Sequence, residues 1–219
     1  MDTLKSQSNV EKEISLGKAA AILAGIIIIL LIVGVLVGNR FFWDQFDDSS
    51  NKADILLNNA QVMVKKAPED ALAHAALGLE YMKRGMKEEA IKELEAAYEL
   101  DNKHLGIIFN LGIAYKESGK IDDALKHFNQ IIDSQPYHYL AIVNAGTVYS
   151  EKEDYKKAIE LFEKALQIEP GAADVWLLKA QAYAGMGEKD LAIECVNRAL
   201  AFVPDYAEAL ELKDKISGQ

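Results

Sequence analysis

Four sets of residues recur along this chain at a spacing of 34. Gly78, Gly112, Gly146 and Ala180 form the first set, and Tyr81, Tyr115, Tyr149 and Tyr183 the second. Ala90, Ala124, Ala158 and Ala192 form the third, and Pro136, Pro170 and Pro204 the fourth. A period of this length means that one supersecondary unit is copied and stacked, because a single unit cannot bury its apolar face alone. Each unit then touches only its neighbours, and the stack offers an extended surface for docking instead of an enclosed catalytic pocket.

Each copy splits into two amphipathic helices. In residues 105–138, Ile108, Leu111, Gly112 and Tyr115 share one face of a first helix. Ser118 and Gly119 break it, as glycine does just past a helix end. Ala124, Phe128 and Ile131 line one face of a second helix, and Pro136 stops it. Gly112 and Ala124 are expected to be small because the two helices cross closely there.

This pattern resembles the tetratricopeptide repeat. The matching residues are Leu77, Gly78, Tyr81, Ala90, Leu94 and Ala97 in repeat 1 (71–104), where Asn102 replaces the proline. In repeat 2 (105–138) they are Ile108, Leu111, Gly112, Tyr115, Ala124, Phe128 and Pro136. Repeat 3 (139–172) has Ile142, Gly146, Tyr149, Ala158, Phe162, Ala165 and Pro170, and repeat 4 (173–206) has Trp176, Ala180, Tyr183, Ala192, Ala199 and Pro204. His74, Ala145, Lys179 and Glu153 depart from the pattern, the last where the turn glycine is usual. The resemblance implies an all-α, right-handed solenoid of four helix-turn-helix repeats with flanking helices. Residues 53–68 read as an N-terminal helix or degenerate half repeat, and 205–219 as a C-terminal capping helix whose charges cover the last repeat.

Upstream lies a different kind of segment. Ala19 to Gly38 is an uncharged run of 20 residues. As a helix it would span about 30 Å, the hydrocarbon thickness of a bilayer. Lys18 bounds it on one side and Asn39–Arg40 on the other, and Phe41, Phe42 and Trp43 follow where an aromatic belt would sit. A cleaved signal peptide fits poorly, since the run is long and no small-residue cleavage site precedes the aromatics. The reading is therefore a charged N-terminal segment (1–18), a transmembrane helix (19–38) and an aromatic, acidic juxtamembrane link (39–52). Gly17, Ala21 and Gly25 are spaced by four, as are Gly34 and Gly38, and small residues so placed let a second membrane helix approach. The same residues are also simply common in membrane helices.

Lys5, Lys12 and Lys18 outweigh Arg40 and Lys52, which favours a cytoplasmic N-terminus and an extracytoplasmic repeat domain on a single-pass protein of a prokaryotic plasma membrane. The layout of residues 17–43 followed by helical repeats resembles ancillary translocon subunits of bacterial inner membranes, which implies a chaperone-like role in export.

In the resembled fold the first helix of each repeat lines a concave groove. By phase its first row is Ala75, Phe109, Val143 and Leu177, its second Leu79, Ile113, Thr147 and Gln181, and its third Met82, Lys116, Ser150 and Ala184. The apolar first row suits a helix or an extended segment with apolar anchors. Asn110 and Asn144 occupy equivalent positions, where an amide can both donate to and accept from a peptide backbone. Some family members grip a terminal carboxylate with Lys, Asn and Arg; here Ala75, Leu140 and Asn144 stand at the basic positions and Leu79 at an Asn, so that ligand is disfavoured.

Charge and chemistry narrow the function further. Net charge is −10, and of the 34 acids only Asp2, Glu11 and Glu13 lie before residue 41. An acidic domain without a basic patch repels nucleic acid. His74 reads as a packing residue, and His104, His127 and His138 as surface residues. No two histidines, nor any histidine with Cys195, take metal-ligand spacing. Gly185-Met186-Gly187 lacks the Gly-Lys-Ser/Thr of a phosphate loop. The expectation is a non-enzymatic interaction scaffold without metal, cofactor or small-molecule substrate, its partners being proteins, peptides or subunits of a membrane complex. A reporter fused after Gln219 is expected to be active only on the extracytoplasmic side; activity of a cytoplasmic reporter there would reverse the orientation.

Overall fold

The structure, a computed structural model, describes residues 44–218. The expected transmembrane helix, with Gly17, Ala21, Gly25, Gly34 and Gly38, lies outside the described residues. Among the described residues no helix is long and apolar enough to cross a membrane. Contacts divide the chain between Leu56 and Leu57, and all four repeats lie in the second unit.

Ten helices follow one another among the described residues: α1 (Asp44–Lys66), α2 (Ala71–Lys83), α3 (Lys87–Leu100), α4 (Leu105–Glu117), α5 (Ile121–Ser134), α6 (Tyr139–Glu151), α7 (Tyr155–Ile168), α8 (Ala173–Gly185), α9 (Lys189–Phe202) and α10 (Ala207–Ser217). The acidic stretch read as a link is helical from Asp44. Lys65 and Lys66 sit in the last turn of α1, where positive charge is favourable to the helix dipole.

The helices pair as α2/α3, α4/α5, α6/α7 and α8/α9, each pair being one repeat, and successive pairs stack. The turn inside each pair is built the same way. The backbone N–H groups of Met86, Lys120, Asp154 and Glu188 donate to the carbonyls of Tyr81, Tyr115, Tyr149 and Tyr183 at 2.9–3.0 Å. That bond closes the helix end only if the preceding residue is left-handed. Gly85, Gly119 and Gly187 supply φ of 71°, 73° and 80°, and Glu153 is held at 60°. A side chain in that region crowds its own backbone, so repeat 3 carries local strain that the other repeats lack.

Packing within a repeat centres on one contact. A methyl group placed on Gly112 would lie 2.8 Å from the Phe128 ring, and one on Gly146 2.7 Å from the Phe162 ring. On Gly78 it would lie 2.7 Å from Leu94. In repeat 4 the partner is the smaller Val196, and Ala180 replaces glycine. The close approach expected between Gly112 and Ala124 is thus an approach of helix backbone to an aromatic ring. Leu94, Phe128, Phe162 and Val196 are fully buried, as are the four alanines Ala90, Ala124, Ala158 and Ala192.

At the C-terminal end, α10 packs on α9 and α8 through Ala209 and Leu212, and buries Leu177. Lys213 and Ser217 stand where a further repeat would carry Leu and Tyr, and Glu208, Glu211, Asp214 and Lys215 are exposed, so the outer face of α10 is polar.

Two substitutions test this packing. Gly146→Ala is expected to destabilise the domain by about 1–3 kcal/mol by overpacking against Phe162. Glu153→Gly is expected to stabilise it by about 1 kcal/mol through relief of the left-handed strain. Urea midpoints of the two variants against the parent, at matched slope, read both effects.

Candidate functional site

The groove rows are only partly open. Ala75 is buried in the cluster that holds Ile107 and Leu111 of α4, and Leu177 is closed off by α10. Both were expected to face the groove; the next repeat packs over the small Ala75, and the terminal helix packs over Leu177. Leu79, Met82, Phe109, Asn110, Ile113, Lys116, Val143, Asn144, Thr147, Ser150 and Ala184 are half-buried, and Gln181 is exposed. The accessible apolar surface of the middle of the groove lies on α4 and α6, at Phe109, Ile113 and Val143, with Leu79 and Met82 continuing it on α2.

Phe109 is seated from below. Its ring lies 5.8 Å from that of Phe128 and 6.1 Å from that of His138. His138 is itself fixed, because its Nδ1 accepts from the Ala141 N–H at 3.2 Å and so caps α6. His104 caps α4 in the same way through Ile107. Both rings thus act as acceptors at helix N-termini, a role ordinarily filled by Ser, Thr, Asp or Asn.

The polar groups of the groove are largely committed. Lys116 Nζ donates to Asn144 Oδ1 at 2.8 Å, and Asn144 Nδ2 donates to the Leu140 carbonyl at 2.9 Å. Thr147 Oγ1 donates to the Val143 carbonyl at 3.0 Å. Asn144 thus spends its amide on the groove wall. The ladder of two equivalent asparagines becomes a single available amide at Asn110.

Away from the groove, four titratable groups are buried or half-buried in ways the sequence reading missed or only partly anticipated. His127, expected on the surface, is 4% exposed. It stands where Leu161 and Cys195 stand in repeats 3 and 4, and that row was the available signal. Cys195 is a buried packing thiol, and burial pushes its pKa up, away from reactivity. Lys179 fills a position usual for Leu by running its stem over Trp176 and Tyr183 and pairing with Glu163 at 2.8 Å. Tyr139 is pushed up to about 12, chiefly by burial and then by the nearby Asp174 charge. Among the described residues no cluster of three His, Cys, Asp or Glu could hold a metal.

Tetratricopeptide-repeat family models match residues 71–104, 108–170 and 150–216. Residues 71–216 belong to the tetratricopeptide repeat family. The first of these matches has the same limits as repeat 1 read from the period. Among solved structures, the tetratricopeptide domain is similar to the MamA protein, at 24% identity and TM-score 0.65 over 75% of this chain and 90% of that one. It is also similar to YrrB, described as a TPR protein with an unusual peptide-binding site, at 20% identity and TM-score 0.68 over 78% and 88%. A third is MamA 41-end from Desulfovibrio magneticus RS-1, at 22% identity and TM-score 0.58 over 68% and 93%. At these identities the likeness is one of fold. No curated protein matches the chain in sequence.

Proposed function

We propose that this chain is a membrane-anchored scaffold that docks a partner protein or peptide in the groove of its tetratricopeptide domain, with no chemistry of its own. The observation that carries the proposal is the half-exposed apolar stretch Phe109, Ile113 and Val143 on adjacent groove helices, beside the uncommitted amide of Asn110. An apolar side chain of the partner would seat on Phe109, and Asn110 would bond its backbone. The tetratricopeptide family match supports the reading, and so does a fold neighbour described as having a peptide-binding site.

The anchor rests on the uncharged run of residues 19–38, and the extracytoplasmic placement on the lysines before it. A role in protein export is the version of this proposal in which the occupant is a nascent secreted chain. A structural accessory role in a larger membrane complex is the version in which Gly34 and Gly38 make the main contact.

Photo-crosslinking residues placed at Ile113 and Val143 in native membranes are expected to trap a discrete partner. The same probe at Lys164, on a second helix of a repeat, is expected to trap none. Phe109→Ala is expected to weaken capture by about ten-fold, as loss of a central aromatic anchor does. Equal labelling from all three positions, or capture unchanged by Phe109→Ala, would remove the groove from the account. Nascent chains among the trapped species would select the export version.

A further inference from the structure

His127 is the one buried polar or charged residue among those described. It sits on α5, at the joint between repeats 1 and 2. The Tyr98 ring of α3 meets it edge-on at 5.1 Å and 83°, and the Tyr115 ring of α4 stacks on it at 5.5 Å and 13°. Its Nδ1 is buried and has no hydrogen-bond partner. The polar groups around it are tied to other partners as well. Tyr98 donates to Gln130 at 3.0 Å, Gln130 donates to the Asn102 carbonyl at 3.1 Å, and Tyr115 donates to Glu95 at 2.5 Å.

We infer that His127 is a pH-sensitive latch at the joint between repeats 1 and 2: its neutral ring closes the seam between α3 and α5, and its protonated ring opens it. A neutral imidazole can sit between two tyrosines as a flat packing group. An imidazolium carries an N–H on both ring nitrogens, and the buried Nδ1 has no acceptor within hydrogen-bond reach; a hydrogen bond to Gln130 favours the charged ring, but burial opposes it more strongly.

The groups facing the ring, among them the Gln130 side chain of α5, which hydrogen-bonds it and favours the charged form, are outweighed by burial. Glu95 on α3 and Asp123 on α5 favour the charged form too, but both are exposed and screened by water, and Glu95 already accepts from Tyr115. Lys126 on α5 opposes it, and Lys120 lies over the far ring, Tyr115, at 5.6 Å. Burial is the largest influence and lowers the pKa from 6.5, with Lys126 next. Between that lowered value and 6.5 the unfolded chain binds the proton and the folded chain does not. The stabilisation is therefore full above about pH 6.5 and is lost as the pH falls towards the lowered value.

The consequence reaches the groove. Phe128, next in sequence to His127, is the ring against which both Gly112 and Phe109 pack. Loosening α5 would release the floor under the apolar stretch while leaving repeats 3 and 4 stacked. The latch is nonetheless a property of the fold and stands whether or not the groove binds a peptide.

Amide hydrogen exchange of the full-length chain tests it. After correction for intrinsic rates, exchange in α3 and α5 is expected to rise about ten-fold between about pH 7.5 and about pH 5, with α7 and α9 unaffected. His127→Leu, which places at this position the residue that repeat 3 uses, is expected to abolish the response. His74, His104 and His138 remain in that variant, so their titration is controlled. His127→Gln, also unable to titrate in this range, serves if the leucine variant does not fold. Acceleration that persists in the variant, or a parent chain whose α3 and α5 exchange changes by less than about two-fold, overturns the inference.

Discussion

The structure depends on a small residue facing a large one inside each repeat. Where Gly112 and Gly146 lack a side chain, the rings of Phe128 and Phe162 lie against bare helix backbone. Dispersion is steep with distance, so that approach gives a dense contact that a methyl group would destroy. The pairing is a volume rule more than a glycine rule. Repeat 1 balances Gly78 with Leu94, and repeat 4 balances Ala180 with the smaller Val196. With the hairpin distance set in every copy, the stack follows, because each repeat presents to the next the same alanine-rich surface.

The groove is a product of that stack and is limited by its ends. A helix in the middle of a solenoid leaves one face open; a row that reaches a covered end closes. Leu177 shows this, lying in phase with Phe109 and Val143 yet buried by α10, whereas Ala75 is buried against α4 of the next repeat. Polar groove residues meet a similar limit. A half-buried amide or hydroxyl finds a partner in its own wall when one is within reach, as Asn144 does with Lys116 and Leu140, and Thr147 with Val143. What remains for a ligand is narrower and more apolar than three full rows.

Much of the fold was legible from the 34-residue period, because strict spacing reports a repeated contact directly. Gly119 marked a turn, and the departure at Glu153 fell at the position where Gly85, Gly119 and Gly187 are left-handed in the structure. The histidines were only partly legible. Three were read as surface residues: His104 is exposed as read but also caps α4, His138 is half-buried and caps α6, and His127 is a buried ring between two tyrosines. A cap depends on the rotamer of one side chain, and burial at a joint depends on what the adjacent repeat brings to it. Neither leaves a periodic trace.

The amino-acid order by itself determined that the chain makes paired helices, where each turns back, and which residues face inward. Those properties are local: a hydrophobic period, a turn glycine and a proline stop act within a single repeat. Only the tertiary structure decided which inward-phased residues stay accessible, which amides are already bonded, and that one histidine lies sealed in the seam of repeats 1 and 2. These depend on contacts between residues about one repeat apart, and the chain encodes such contacts only through the shapes of the surfaces that meet.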